Sequence, residues 1–274
     1  MKYDLKEICR DIRCDTVTCI GHLGVGHIGG CLSLVELLGV LYFEEMHIDP
    51  AQPKLAGRDR LVCSKGHAGP VVYAALANRG YFDKAELLTL NQGGTHLPSH
   101  CDMNLTTGID MTTGSLGQGF SCAAGAALGS KLEQDGAYIF TIIGDGESQE
   151  GQIWEAAMFA AAKKLDNLIG FTDYNKLQID GSVAQVNDIA PLADKWAAFG
   201  WNVIDVADGN DIAQVSAAVK QAKANRGSGK PTMVILNTKK GCGVKWIEDL
   251  GAGNHNTNLN EQQAAEAVAE IRGN

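Results

Sequence analysis

Two patterns of apolar and polar positions alternate along the chain, one typical of buried strands and the other of helices. Residues 138–143 and 167–172 are short apolar runs of the kind that form buried strands. Between these runs, Ile153, Ala157 and Ala161 recur at the spacing of one face of a helix. The pattern predicts a strand, a tight turn, a helix and a second strand, which together make one crossover unit of a parallel sheet.

The same alternation continues on both sides of this unit. Further strands are predicted at residues 60–64, 202–206 and 231–237. Helices are predicted at residues 3–20, 31–43, 71–79, 83–90, 113–129, 192–200 and 211–225, and from residue 259 onward. Strands that alternate with helices indicate an α/β fold in which helices cover both faces of a parallel sheet. Because no linker, repeat or low-complexity segment interrupts the pattern, we expect a single domain over residues 1–274.

Two segments depart from ordinary packing patterns. Residues 81–113 contain little regular pattern beyond one short helix, and irregular segments of this length are usually functional. Residues 113–129 have the pattern of a helix that opens with glycines and consists mainly of small residues. Small residues allow another backbone or a ligand to approach closely, so we expect this helix to be buried or to lie at a subunit interface.

Polar side chains follow the two strands of the central unit. Asp145 stands in a Gly-Asp-Gly turn after the first strand, and Asn175 follows the second strand thirty positions later. The carboxyl ends of parallel strands lie on one edge of a sheet, so both side chains can reach one point. Carboxylate and amide oxygens suit Mg²⁺ or Ca²⁺, and Gly146 and the helix start offer backbone N–H groups to an anion. The local pattern predicts a metal-bound diphosphate, with a plain crossover unit as the alternative.

Four of the seven histidines stand near predicted strand ends and helix starts, in glycine-rich or irregular segments. They are His27, His67, His100 and His255. A single histidine is more often a surface residue or a satisfied core residue, but four in such places favour a shared site. Imidazole can donate, accept and shuttle protons near neutral pH, which suits acid–base work on a substrate.

Four motifs resemble those of transketolases. They are G-H-x-G-G, S-K-G-H-A, T-G-S-L-G-Q-G and G-D-G-E-x-Q-E-G-x-x-W-E-A, in the order in which that family carries them. The resemblance implies a thiamine-diphosphate-binding fold of the diphosphate-binding type. It implies the cofactors thiamine diphosphate and Mg²⁺, with Ca²⁺ or Mn²⁺ as possible substitutes. It also implies transfer of a two-carbon ketol unit from a ketose phosphate to an aldose phosphate, with the cofactor supplying the reactive carbon.

The resemblance implies roles for residues around the metal and the diphosphate. Asp145 and Asn175 would hold Mg²⁺ through their side-chain oxygens, and Leu177 would do so through its backbone carbonyl. Gly146 and His67 would contact the diphosphate.

Further implied roles concern the ring end of the cofactor and the partner subunit. Gly114 and Leu116 would line the aminopyrimidine pocket by backbone contacts, and Ile179 would pack on the cofactor. Glu150 would lie at the dimer interface, coupled to the glutamate that activates the cofactor.

The substrate would be faced by histidines. His27, His100 and His255 would contact it, and His255 would also lie near the diphosphate. Together with His67 and Glu150, these residues form the expected catalytic set.

The family also has parts that this sequence does not contain. In transketolases the activating glutamate comes from a second domain of another subunit, and a third domain follows. After residue 237 the chain has room for about one helix and a loop, whereas such domains need roughly 100–150 residues each. We therefore expect the N-terminal half of a split transketolase, inactive without a separate C-terminal subunit. The resemblance also implies a self-dimer of this chain within a two-plus-two assembly.

The charge and the cysteine content limit which binding partners and which cellular compartment the sequence is compatible with. The 23 lysines and arginines face 32 aspartates and glutamates, for a net charge of −9, which argues against nucleic acid and anionic membranes as partners. The eight cysteines form no C-x-x-C pair, which indicates reduced thiols and a cytoplasmic location. No apolar stretch reaches the length of a membrane span.

Four other interpretations stay open at this point. The chain could be the α-type subunit of a 2-oxo acid dehydrogenase or a deoxyxylulose-phosphate synthase, although its motifs follow the transketolase pattern more closely than either. It could be a transketolase-like subunit that uses an unusual ketose, such as a branched or sulfonated sugar. It could also be a binding or assembly protein that kept the fold without the activity.

Overall fold

Strands and helices alternate along the chain, whose residues 3–273 are described by a computed structural model. Within these residues the strands are β1 (Val25–Gly26), β2 (Arg60–Cys63), β3 (Ile139–Gly144), β4 (Leu168–Asp173), β5 (Leu177–Gln178), β6 (Gly181–Ser182), β7 (Asn202–Val206), β8 (Thr232–Leu236) and β9 (Thr257–Asn258). The α-helices are α1 (Leu5–Leu23), α2 (Ile28–Leu32), α3 (Val35–Val40), α4 (Gly69–Arg79), α5 (Gln118–Glu133), α6 (Gly151–Ala162), α7 (Val183–Asn187), α8 (Leu192–Ala198), α9 (Ile212–Ala224), α10 (Lys245–Asp249) and α11 (Glu261–Arg272). Residues 1, 2 and 274 of the predicted domain lie outside the described residues.

A five-stranded parallel sheet in the order β2-β3-β4-β8-β7 forms the centre of the described part of the chain. Side chains alternate between its two faces, as they must in a strand. On one face Phe140 and Ile142 pack in a core with α1, α3, α4 and α9. On the other face Ile139 and Ile143 pack in a core with α5, α6 and α8. The predicted α/β fold, with helices on both faces of a parallel sheet, is therefore confirmed.

The register of the sheet brings the polar strand ends together. Gly144 of β3 pairs with Asp173 of β4, and Asp173 pairs with Leu236 of β8. The backbone N–H of Asp145 donates to the carbonyl of Asp173 at 3.2 Å. The segments that follow β3, β4 and β8 therefore leave the sheet side by side.

The prediction of one continuous helix over residues 31–43 is wrong. The segment divides into α2, α3 and a π-helical turn at Leu41–Glu45. The break falls at Ser33, whose hydroxyl donates to the carbonyl of Gly30 and to the carboxylate of Asp173 in the sheet. Serine side chains that bond in this way compete with a regular helix, and here the competing partner lies far away in sequence.

The small-residue helix begins later than predicted. Residues 113–117 form a loop, because Gly114 and Gly117 adopt positive φ angles of 157° and 84°, and α5 starts at Gln118. One face of α5 is buried, while Cys122 and Gly125 on the other face are exposed. The expected burial is therefore confirmed for one face of α5. That the exposed face lies at a subunit interface stays a prediction.

The predicted short helix at residues 83–90 is a 3-10 helix, Lys84–Thr89, and the other predicted elements are present with bounds that differ by a few residues. Within residues 3–273, no helix combines the length and the apolar character that crossing a bilayer requires.

Candidate active site

Asp145 and Asn175 meet above the carboxyl ends of β3 and β4. Asp145 is 2% exposed, and its carboxylate accepts hydrogen bonds from the backbone N–H groups of Gly146, at 2.7 Å, and of Lys176. The Oδ1 atom of Asn175 accepts from the next N–H group, that of Leu177, at 3.1 Å. Both side-chain oxygens therefore lie against one short turn, as their positions after neighbouring strands predict.

Burial makes this carboxylate a strong candidate for a cation ligand. It raises the pKa of Asp145 to about 7, and the negative charge of Asp173 adds to the effect. A cation at the carboxylate would relieve both contributions. The three predicted donors, from Asp145, Asn175 and the backbone of Leu177, are all oxygens, which suits a hard divalent ion. The Leu177 carbonyl accepts from the Lys240 ammonium at 3.1 Å, so a metal there would have to share or replace that bond.

A cavity of about 260 Å³ opens at these strand ends. Its lining includes these members of the predicted set: His67, Leu116, Asp145, Gly146, Glu150, Asn175, Leu177, Ile179 and His255. Bare backbone forms part of the wall, because a Cβ atom on Gly146 would come within 3.1 Å of Gln178. The cavity offers an oxygen-rich end, cationic groups and glycine backbone, and this combination fits a metal-bound diphosphate.

The four predicted histidines form one cluster beside the cavity. The ring of His27 lies 5.3 Å from that of His67, 5.9 Å from that of His100 and 5.4 Å from that of His255, measured between centroids. His67 and His255 are 5.3 Å apart. Burial and the nearby Lys65 lower the pKa of His67 to about 2, and burial and Lys240 lower that of His255 to about 4.

The pKa values of the other two histidines are also lowered. Burial is the main cause for His27 and the cause for His100. The whole cluster is therefore uncharged near neutral pH, so its rings can accept as well as donate hydrogen bonds.

The remaining predicted residues lie at the rim of the cavity or outside its lining. Glu150, Leu116 and Ile179 are exposed, with Leu116 at 36% and Ile179 at 63%. Gly114 is half-buried and does not line the cavity; its backbone nitrogen lies 2.8 Å from where a Cβ atom on Gly66 would stand. Large apolar side chains exposed at a cavity rim are suited to cover by a ligand or another chain.

Sequence reasoning missed a buried ion pair under the cavity. The Lys65 ammonium lies 2.5 Å from the Asp173 carboxylate, and the side chains are 2% and 0% exposed. Burial acts to raise the pKa of Asp173, but the charge and hydrogen bond of Lys65 outweigh it and the pKa is lowered. Asp173 also accepts from Ser33, Thr238 and the amide of Asn175. The pair therefore orients one predicted metal ligand from below.

Two further buried charged residues were missed. Lys240 donates to Nδ1 of His255 at 3.1 Å, and burial together with Lys65 lowers its pKa to about 8. Glu147 accepts from Ser64 and from the backbone N–H groups of Gly117 and Gly144. The available signal was their position: each follows a predicted strand within a few residues, as Asp145 does.

A larger groove, of about 1020 Å³, lies elsewhere, between residues 52–60 and 103–110. It adjoins the amino-terminal start of β2, and none of the predicted site residues lines it. The chemistry described above therefore belongs to the smaller cavity.

Comparisons with known proteins identify the family of the chain. Residues 5–272 match the family described as "Transketolase, thiamine diphosphate binding domain". A 6-deoxy-6-sulfo-D-fructose transketolase subunit from Clostridium sp. (strain MSTE9) is 56% identical, over 98% of this chain and 96% of that protein. One subunit of an apulose-4-phosphate transketolase from Phocaeicola vulgatus is 36% identical, over 90% of this chain and 86% of that protein.

Single-chain relatives are matched over less than half of their length. Rat transketolase is 35% identical over 97% of this chain, which covers 42% of that protein. The solved structure of transketolase from Leishmania mexicana superposes with a TM-score of 0.91 at 29% identity, covering 99% of this chain and 42% of the other. These matches favour a transketolase over a 2-oxo acid dehydrogenase. The chain therefore belongs to the transketolase family, as a thiamine diphosphate-binding domain of the kind found in its subunit-type members.

Proposed function

We propose that this chain is the diphosphate- and metal-binding subunit of a transketolase whose remaining domains are on a separate C-terminal subunit. The observation that carries the proposal is the junction of Asp145 and Asn175 with the four-histidine cluster at one cavity. An oxygen-donor site alone would fit many metal enzymes. Neutral imidazoles placed beside it add the means to hold sugar hydroxyls and to move protons.

The cofactor end of the cavity is assigned to this chain's oxygens and cations. Asp145, Asn175 and the carbonyl of Leu177 would hold Mg²⁺, with Ca²⁺ or Mn²⁺ as substitutes. Gly146 would offer its backbone to the diphosphate, which His67 would also contact. When bound, thiamine diphosphate supplies the carbon that takes up the ketol unit.

Lys240 and the rim residues complete the proposed cofactor site. Lys240 would place its positive charge next to the diphosphate, because its ammonium lies between the carbonyl of Leu177 and the ring of His255. Gly114 and Leu116 would line the aminopyrimidine pocket through backbone contacts. Ile179, largely exposed at the rim, would be covered by the cofactor.

The histidines would do the acid–base work on the sugar. His27, His100 and His255 would contact substrate hydroxyls, and each ring would be able to accept a proton because its pKa is lowered and its neutral form dominates. A proton taken from the donor hydroxyl as the carbon–carbon bond breaks can be given to the carbonyl oxygen of the acceptor aldose as the new bond forms.

The partner subunit is proposed from the relatives and from the exposed rim. This chain spans 96% and 86% of two relatives that are named as subunits, but 42% of rat transketolase. Glu150 is exposed beside the cavity, where a second chain could cover it and place its activating glutamate nearby. We further propose a self-dimer within a two-plus-two assembly. We propose a cytoplasmic location, which the eight free cysteines support.

The relatives also suggest a donor sugar. The 56% identical relative is named for 6-deoxy-6-sulfo-D-fructose, and the 36% identical relative is named for apulose 4-phosphate. We propose ketol transfer from a ketose that carries an anionic group. On identity, 6-deoxy-6-sulfo-D-fructose is the first donor to test. Xylulose 5-phosphate, the pentose-phosphate-type donor, is the second.

A reconstitution assay tests the proposal. Ketol transfer to an aldose phosphate should require this chain, the C-terminal subunit encoded beside it, thiamine diphosphate and Mg²⁺, and it should be lost when any one is omitted. Each donor is tested separately with ribose 5-phosphate and glyceraldehyde 3-phosphate as acceptors. Turnover by this chain alone would contradict the two-subunit proposal. Cofactor binding without transfer from any ketose would contradict the proposed reaction.

A further inference from the structure

One corner of the histidine cluster is built from three segments that are distant in sequence. His27 directly precedes α2, Lys240 follows β8, and His255 lies between a 3-10 turn and β9. The Lys240 ammonium is 3.1 Å from Nδ1 of His255, and the rings of His27 and His255 are 5.4 Å apart. These groups can act on one ligand only while the three segments keep their relative positions.

Asn254 lies beneath this corner and contacts all three segments. Its side chain is fully buried, and its Nδ2 group donates to the carbonyls of Lys240, at 3.2 Å, and of Ile247, at 2.9 Å. Its Oδ1 atom has no hydrogen-bond partner among the residues that the structure describes. The side chain is thus fixed by its two donated bonds and by packing, at the cost of one buried acceptor left unpaired.

Two glycines make room for this side chain. A Cβ atom on Gly29, two residues after His27, would stand 2.1 Å from Oδ1 of Asn254. A Cβ atom on Gly241, next to Lys240, would stand 3.0 Å from its Nδ2. The N–H of Gly241 donates to the carbonyl of Gly29 at 3.0 Å. Asn254 therefore fills the junction where α2 and the segment after β8 are joined directly.

We propose that Asn254 is a positioning residue that holds His27, Lys240 and His255 in one arrangement. It touches neither the cavity nor, on the proposed geometry, the substrate, and it acts through the backbone on either side of it. Its effect on ketol transfer rests on the proposed function, whereas its effect on the histidines rests on the geometry alone.

An alternative explanation is that the antiparallel pair of β1 and β9, called the ribbon below, holds His27 and His255 in position. Gly26, just before His27, pairs with Thr257, two residues after His255. If this ribbon were sufficient, removing the amide of Asn254 would destabilise the chain without moving the rings. The two accounts therefore predict different spectra for the same variant.

Asn254→Ser tests the proposal, with Asn167→Ser as its matched control. Asn167 is also a buried asparagine, donates to the carbonyl of Ala127 and has an unpartnered Oδ1 atom within the described chain, but it lies before β4, at the opposite edge of the sheet. Histidine ring signals are followed by NMR in the full chain. In Asn254→Ser the signals of His27 and His255 should shift, and in Asn167→Ser they should stay in place.

Unchanged ring signals in Asn254→Ser would overturn the proposal, whatever the activity. Asn254→Leu keeps roughly the size of the side chain, buries no charge and removes both donated hydrogen bonds, so it replaces the serine variant if that chain does not fold. In the reconstituted enzyme, kcat/KM should fall on the order of 10- to 100-fold for Asn254→Ser, as expected for misplaced catalytic groups, and stay at the wild-type value for Asn167→Ser. Absence of ketol transfer in the wild type would refute the proposed function and leave the NMR result to decide the role of Asn254.

Discussion

Replacing Asp145 with asparagine should abolish metal-dependent binding of thiamine diphosphate while leaving the chain folded. The carboxylate is the one charged group among the proposed metal donors, and the amide that replaces it carries no charge. Loss of a residue that merely supports a metal ligand costs 10- to 100-fold in affinity, so loss of the ligand itself should cost at least about 100-fold. Titration of the reconstituted protein with Mg²⁺ at saturating thiamine diphosphate measures the change.

The same substitution should stabilise the cofactor-free chain at neutral pH. The folded chain raises the pKa of Asp145 from 3.8 to about 7, so the folded state holds a proton that the unfolded chain releases between these values. The resulting destabilisation of the wild type grows as pH rises from about 4 and is complete above about 7. Asp145→Asn removes it, for a gain of about 4 kcal/mol at pH 8 and little at pH 4.

Urea unfolding of the two proteins at both pH values tests this second effect. Asp205→Asn is a suitable control, because Asp205 is an exposed aspartate of β7 in the same sheet. It should alter neither metal affinity nor the pH dependence of stability. Normal cofactor affinity in Asp145→Asn would refute the proposed metal site, and equal stabilisation at pH 4 and pH 8 would refute the raised pKa of the carboxyl.

Lys65→Met should be among the most destabilising single substitutions in the chain. It leaves the Asp173 carboxylate buried without its cation, and breaking a buried ion pair from one side costs about 3–5 kcal/mol. Asp173→Asn should cost a comparable amount, since it strands the ammonium instead. The double variant should recover much of the loss, because two uncharged groups replace the pair. Free energies of unfolding for the four proteins form the cycle that isolates the coupling.

An exposed pair provides the control for this cycle. Lys245 and Asp249 form a salt bridge with side chains 69% and 61% exposed, so Lys245→Met should cost less than about 1 kcal/mol. A Lys65→Met variant no less stable than this control would contradict the interpretation of Lys65 and Asp173 as a tightly coupled pair. Asp173→Asn should also weaken metal binding, because the amide of Asn175 donates to the lost carboxylate.

Much of this site could be predicted because its signals are local in sequence. A Gly-Asp-Gly turn after an apolar run places a carboxylate at a strand end whatever the rest of the chain does, and parallel topology brings Asn175 to the same edge. The histidines could be selected one by one from their glycine-rich surroundings. That the rings of His27 and His255 lie 5.4 Å apart could not be predicted, because the two residues are 228 positions apart in the chain.

The missed residues share a physical cause. Lys65, Lys240 and Asp173 are of residue types that usually lie at the protein surface. Their burial depends on partners contributed by other elements. The break in the predicted helix at residues 31–43 has the same origin, because the hydroxyl of Ser33 is held by Asp173 of β4. The periodicity of apolar residues describes one helix or strand at a time. It therefore cannot reveal that a charged side chain is paired with a residue of a different element.

The sequence by itself determined the α/β architecture, the strand ends that carry Asp145 and Asn175, and the family. These follow from short-range apolar patterns and from motifs whose residues are close together along the chain. Only the tertiary structure decided which charges are buried in pairs, which helices break, and how Asn254 joins the segments of His27, Lys240 and His255. Those features depend on low-dielectric contacts between distant segments, and such contacts come into existence only when the chain is folded.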